Sequence, residues 1–141
     1  MTDVREWQSV DEVLAVMAGV VEYLGQPRPS VNTPGIFGNR PLKIAAVWGD
    51  PGATKLLIAA GAELDAPNED GFTALHHAAA GGHLSVVKLL VEAGASTTVR
   101  NDENHTPPDL AQIIGGRDVA TYLSELAAQP GAAADPPPAG R

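Results

Sequence analysis

Apolar residues recur at helical spacing in several stretches of this chain. The first runs from Ser9 to Leu24, where Val10, Val13, Leu14, Met17, Val20, Val21 and Leu24 share one side of a helix. Ser9 with Glu12 forms a capping box at its start. Gly25 stops the helix, and Pro27 and Pro29 prevent its resumption. From Gly25 to Gly38 the pattern lapses into a connection holding Pro27, Pro29, Pro34 and Gly35. It is longer than a typical loop, so it is expected to be functional or mobile. Beyond it, short runs built on small Ala alternate with runs of larger apolar residues, and glycines separate them. The end of the chain, 127–141, holds only Ala, Pro, Gly, Gln and two cancelling charges. It cannot bury enough apolar area to offset its ordering entropy, and a disordered tail is expected. Pro136-Pro137-Pro138 lacks the flanking basic residue of a convincing proline-rich ligand.

Three segments align when laid in register from Gly38, Gly71 and Asn104. Leu42 then matches Leu75. Ala45, Ala78 and Ala111 coincide, as do Gly49, Gly82 and Gly115, and Leu57, Leu90 and Leu123; Gly61 matches Gly94. Every step is 33 residues. Each unit reads as a tight turn, a short helix, a glycine reversal and a second helix. Thr73 and Thr106 cap the short helix, and Ala45-Ala46 or Ala78-Ala79 let it pack closely. Val86, Val87, Leu89 and Leu90 give the second helix its apolar side, and Gly61 or Gly94 ends it in a left-handed cap. One unit cannot bury these faces alone, so stacking must supply the core. The third unit departs from the pattern. Pro108 replaces Leu and Asp109 stands where His76 stands, so its first helix should start at Pro107 or Pro108. Arg117, Asp118, Ser124 and Glu125 make its second helix polar, which suits a terminal cap.

This period, and the run from Asp70 to Ala95 above all, resemble the ankyrin repeat. The resemblance implies an all-α ankyrin solenoid of three repeats, 35–67, 68–100 and 101–126, with short turn or hairpin fingers. Residues 1–34 would be an N-terminal helical cap and connection, and 127–141 the tail. Val20-Val21-Glu22-Tyr23-Leu24 echoes Val119-Ala120-Thr121-Tyr122-Leu123, as a degenerate capping unit would.

Charge narrows the partners. Nine Lys and Arg against seventeen Asp and Glu give a net charge of −8 with His neutral. Such a chain repels phosphate backbones and anionic membranes, so nucleic acid and membrane are not expected ligands. A basic protein is the natural complement. The absence of cysteine excludes disulfides, Cys-ligated zinc and thiol catalysis. No apolar run approaches the roughly 20 residues of a membrane span, and the mixed-charge N-terminus does not read as a signal peptide. A soluble, cytoplasmic monomer without a cofactor is expected. The Ala, Gly, Pro and Arg bias suits a bacterial gene of high GC content.

Candidate chemistry is thin. His76 and His77 are adjacent, so on a helix they point about 100° apart and cannot chelate together. The resemblance gives His76 a structural role, bonding across the turn to Thr73, and His83 a usual place at the start of the second helix. Metal binding through His76 and His83 stands as the alternative. Asp109, His105, His83 and Ser85 make no nucleophile elbow. Gly81-Gly82 and Gly115-Gly116 lack the following Lys-Ser/Thr of a phosphate loop. Asn104-His105-Thr106 is a sequon without a secretion signal. The chain does not read as an enzyme.

Surface recognition remains. The resemblance places the binding face on the turn tips and the exposed side of the first helices. The tips are Ile36, Phe37 and Asn39, then Glu69, Asp70 and Phe72, then Asp102, Glu103 and His105; the helices add Val47, Trp48, Ile113 and Ile114. Large apolar residues with an acidic rim suit a hot spot for a basic partner. Trp48 aligns with Gly81 and Ile114, which favours a ligand over packing; the other reading packs Ile36, Phe37 and Trp48 on the N-terminal helix. The expected function is a non-catalytic protein-binding module, an inhibitor, immunity protein or regulatory adaptor. An accessory to a stress or redox enzyme is the alternative. The irregular connection and Pro108 argue against a designed scaffold.

Overall fold

The computed structural model describes residues 6–128. Its helices are α1 (Val10–Met17), α2 (Pro41–Trp48), α3 (Pro51–Ala59), α4 (Ala74–Ala80), α5 (Leu84–Ala93), α6 (Pro107–Leu110) and α7 (Arg117–Ala128), and no strand occurs among the described residues. They form two rows. The first helices α2, α4 and α6 pack side by side, and α1, α3, α5 and α7 follow one another in the second row. The 33-residue register sets this packing. Ala45, Ala78 and Ala111 are buried in the first row, and Leu57, Leu90 and Leu123 in the second. Small residues let the first helices approach, and the larger ones fill the space between rows. One core runs from Val13 to Leu123. This is the three-repeat stack that the resemblance implies. Ala127 and Ala128 belong to α7, and the rest of the expected tail, 129–141, lies outside the described residues.

The N-terminal helix is shorter than its apolar pattern predicts. Ser9 caps it as expected, its Oγ accepting from the Glu12 N–H at 3.2 Å. However, α1 ends at Met17, and the chain turns into one 3-10 turn at Val21–Tyr23. Leu24, expected on the apolar side, is 58 % exposed. The break turns Glu22 and Tyr23 inward, and both are buried. The Tyr23 hydroxyl lies 2.7 Å from the Thr33 carbonyl oxygen and 3.1 Å from that of Asn39. Burial, and then the Glu22 charge, push its pKa up. Asn32 ties the same connection to the end of α3, donating to the Gly61 carbonyl and accepting from the Glu63 N–H. The segment between Gly25 and Gly38 is thus pinned at several points, which its composition does not reveal.

Each finger is closed by one acceptor oxygen. Asn68 Oδ1 accepts from the N–H groups of Asp70 and Phe72 at 2.9 and 3.0 Å. One repeat on, Asn101 Oδ1 accepts from Glu103 and His105 at the same distances. The first finger has Gly35 at this register and so has no side chain to do it. Glu22 replaces it: its Oε2 accepts from Phe37 and Asn39 at 2.9 and 3.1 Å. A Cβ on Gly35 would collide with the Glu22 side chain. Neighbouring fingers then join through their backbones, Glu69 N–H to the Phe37 carbonyl and Asp102 N–H to that of Asp70. The Glu22 carbonyl accepts from the Ile36 N–H in the same way. The N-terminal segment therefore imitates a preceding finger. Gly38, Gly71 and Asn104 all have positive φ at the tip, and Asn104 is the one non-glycine that does so among the described residues.

The first helix of the third repeat starts at Pro107, as expected, with Thr106 Oγ1 accepting from the Asp109 N–H. The helix then widens into a π turn at Ala111–Gly115. Positive φ falls at Gly116 instead of Gly115, the residue matching Gly49 and Gly82. The first helix takes one residue more and the reversal one fewer, so α7 keeps the 33-residue step. Gly115 fits because its backbone lies against the Ala79 carbonyl, where a Cβ has no room.

The equivalence of Glu22 to the finger asparagines is testable by urea unfolding. Glu22→Ala leaves two partly buried N–H groups unpaired and should cost about 1–3 kcal/mol. Gly35→Asn alone should also destabilise, by overlap with Glu22. The double variant should be more stable than either single one, because an asparagine introduced there can accept the same two N–H groups in the way Asn68 does in its own finger. Additive losses would show that Glu22 does not stand in for the asparagine.

Candidate binding face

The first two fingers and the exposed sides of α2 and α4 enclose a groove of about 480 Å³. Five expected site residues line it: Phe37, Asn39, Glu69, Asp70 and Phe72. Lys43, Asn68 and His77 line it too. None of these three is among the site residues expected from the sequence. The signal for Lys43 is present in the alignment, since it shares its register with His76 and Asp109.

That register normally completes a helix cap. His76 Nδ1 accepts from the Thr73 N–H at 3.0 Å, and its ring lies 2.9 Å from the His105 carbonyl through Nε2. Nδ1 is the acceptor, so Nε2 carries the proton and donates. Both nitrogens of His76 are thereby engaged, and burial lowers its pKa against the hydrogen bonds to the His105 and Val99 carbonyls. This is the structural role that the resemblance implies, bonding across the turn to Thr73. In the third repeat Asp109 accepts from the Thr106 N–H at 3.0 Å, and this hydrogen bond chiefly lowers its pKa. Lys43 cannot accept, and Arg40 in place of the threonine makes no side-chain cap bond. Arg40 pairs instead with Glu63. The Lys43 amine makes no hydrogen bond or ion pair among the described residues. Burial lowers its pKa, and the Glu22 and Asp70 charges oppose this.

Phe72 is a second departure. It occupies the register of Asn39, whose Oδ1 accepts from Asn68 Nδ2 at 2.9 Å. Phenylalanine offers no such acceptor, and Asn101 Nδ2, the counterpart of Asn68 Nδ2, is buried without a partner. The Phe72 ring instead lies 4.9 Å from the His77 ring. Burial, then Lys43, then His76 lower the His77 pKa to about 4.

The other expected residues lie elsewhere. Ile36 and Phe37 are about half exposed, at 49 % and 52 %. Their finger is held by Glu22. Asp102 and Glu103 are exposed on the third finger, whereas His105 is half-buried with its Nδ1 unpaired. Val47, Trp48, Ile113 and Ile114 are exposed at the far ends of the first helices and do not line the groove. Trp48 has a neighbour that the sequence does not suggest. Trp7, ahead of α1, stacks on it with centroids 6.4 Å apart and planes 7° apart. Trp7 Nε1 donates to Asp50 Oδ2 at 2.8 Å, and Asp50 Oδ1 caps α3. The alignment of Trp48 with Gly81 also has a local cause. The His83 ring covers Gly81, leaving a Cβ there only 2.6 Å from it, and it presses on Gly49 as closely. Gly81 therefore does not mark an open site. His83 is packed in this way, and no group of three or more His, Asp or Glu among the described residues could hold a metal. No helix among them is long and apolar enough to cross a membrane.

The family model for ankyrin repeats in three copies matches residues 13–101 and 42–133. No curated protein matches the chain.

Two outcomes follow from this geometry. His77 is neutral in the folded state down to about pH 4, while its ordinary value is 6.5. As pH falls below 6.5 the unfolded chain takes up the proton first, so stability should fall between pH 6.5 and 4 and be complete above that window. His76 acts in the same direction. Urea unfolding at about pH 7 and about pH 5 should show the loss, and His77→Gln should reduce it; an equal loss in the variant would remove His77 as its source. For the indole pair, a double-mutant cycle of Trp7→Ala and Trp48→Ala should give a coupling of about 0.5–1.5 kcal/mol in thermal or urea unfolding. Zero coupling would leave Trp48 without a structural partner.

Proposed function

The chain belongs to the ankyrin repeat family, and from that premise we propose that it is a non-catalytic module whose fingers and first helices bind a basic protein. Ankyrin repeats are generally protein–protein interaction modules, and the chain's net charge of −8 favours a basic complement. Binding itself is its activity, as an inhibitor or immunity protein or as a regulatory adaptor. One observation carries the reading. The repeat gives up stabilising bonds at two residues, Lys43 and Phe72, and both line the same groove. Local inconsistencies without structural benefit concentrate where a surface serves a ligand. Glu69 and Asp70 border that groove, and Asp102 and Glu103 extend the acidic rim.

Affinity capture from cells of the source organism tests this with three baits: the native chain, Glu69→Lys with Glu103→Lys, and Lys55→Glu on the second-helix row. A basic protein should be held by the native chain and by the Lys55 variant. The finger variant should bind it about tenfold or more weakly, with a flatter salt dependence. If the finger variant captures the same protein equally well, the partner sits on another face.

A further inference from the structure

We infer that the groove between the first two fingers takes a carboxylate of the protein partner, set on the Lys43 amine between the Phe37 and Phe72 rings. This rests on the protein-binding reading above and names the chemistry of the anchor.

The argument starts from what Lys43 displaces. At its register, His76 and Asp109 each accept a backbone N–H and close their own helix start. A lysine has three donors and no acceptor, so the first repeat loses that bond. It also loses the threonine cap, since Arg40 bonds outward to Glu63. Among the described residues the amine has no hydrogen-bond or ion-pair partner, and only the charges of Glu22 and Asp70 act on it from further off. It is half-buried and opens on a space of about 480 Å³. Burial lowers its pKa although the Glu22 and Asp70 charges act to raise it, so those carboxylates do not make up for the water that burial removes.

An ammonium in such surroundings selects its occupant by charge. An apolar or amide group placed over it would remove its remaining water and leave the charge uncompensated. A second cation would be repelled. A carboxylate restores what desolvation takes, and the partial burial of the amine strengthens the pair relative to one in open water. Basic side chains of the same partner have their own places on Glu69 and Asp70 at the rim. The fitting segment is therefore of mixed charge, one Asp or Glu with Arg or Lys on either side. This makes the basic partner specific, because a purely cationic segment would meet Lys43.

The test uses the full chain and two capped synthetic peptides, Arg-Gly-Glu-Gly-Arg and the same sequence with Gln for Glu, followed by NMR. The Glu peptide should bind about fivefold or more tightly than the Gln peptide. It should also raise the pKa read from the Lys43 side-chain signals and shift the signals of Phe37 and Phe72. Lys43→Met keeps the aliphatic stem. It should abolish the preference for Glu while leaving weak binding of both peptides at the rim, and Lys55→Met should leave the preference intact. Equal binding of the two peptides, or a preference that survives Lys43→Met, overturns the anchor. Absence of any shift in the groove with either peptide overturns it too. In each of those cases the affinity capture decides the wider protein-binding reading independently.

Discussion

An acceptor oxygen at the base of each finger holds this molecule in register. A finger folds back so tightly that two of its N–H groups point at one side-chain oxygen at its base, and most of these bonds are partly buried. Left bare they would each be costly, so something must accept both. Asn68 and Asn101 do so from within their own fingers, and Glu22 does so from outside the first. With the loop closed, the tip is fixed, and its backbone can bond to the next tip. Register then passes from finger to finger and into the first helices that follow them. The positions of Phe37, Phe72 and the acidic tip residues all derive from this closure.

The same interaction explains why the N-terminal segment is part of the solenoid. Glu22 supplies both the side-chain acceptor of a missing asparagine and the backbone carbonyl of a missing finger. Asn39 extends the arrangement, donating to Glu22 Oε1 and accepting from Asn68. A polar chain thus runs from the cap through the first finger into the second. On the opposite side Trp7 ties the cap to the start of α3 through Asp50, and α1 packs in the second row. The first repeat is held at both ends of its first helix by residues that precede it.

The features legible in the sequence were those with a local or periodic cause. The 33-residue step located Ala78, Leu90 and the glycine reversals because stacking repeats the same burial in each unit. Thr73 and Thr106 were legible as helix caps because a cap is a local event, and the resemblance supplied the bond of His76 to Thr73; the matching role of Asp109 at Thr106 appears only in the structure. The closure of the first finger was not, since it joins Glu22 to Gly35, Phe37 and Asn39 across a connection of no regular pattern. Helical periodicity even misled there: Val20 and Leu24 extend the apolar spacing of α1, but Glu22 and Tyr23 win by turning inward to satisfy buried groups. The stacking of Trp7 on Trp48 escaped for the same reason, being a contact between segments far apart in the chain with no motif. At the face, the resemblance placed Phe37, Glu69, Asp70 and Phe72 on the turn tips, and the structure brings these four to one groove. The separation of Ile113 and Ile114 from them follows from three-dimensional placement alone.

The groove's construction bears on how it can recognise anything. Its walls belong to fingers whose internal bonds are closed by Glu22 and Asn68, so little ordering remains to be done on binding, and preorganisation favours affinity. What is left incomplete is confined to a few atoms. In the groove the Lys43 amine has no hydrogen-bond partner because a donor stands where an acceptor would; Asn101 Nδ2, unpaired because a ring stands where an acceptor would, belongs to the third finger and not to the groove's lining. A repeat built only for stability would have an asparagine or histidine at such positions, as its neighbours do. Rigid surroundings with isolated unmet donors discriminate by charge and hydrogen bonding more sharply than apolar patches do, since a wrong occupant leaves a polar group buried and unpaired. The exposed Ile113, Ile114 and Val47 lack this property. Such side chains offer area without dictating chemistry, whereas the anchor inferred for the groove between the first two fingers would impose a sign and a place on its occupant.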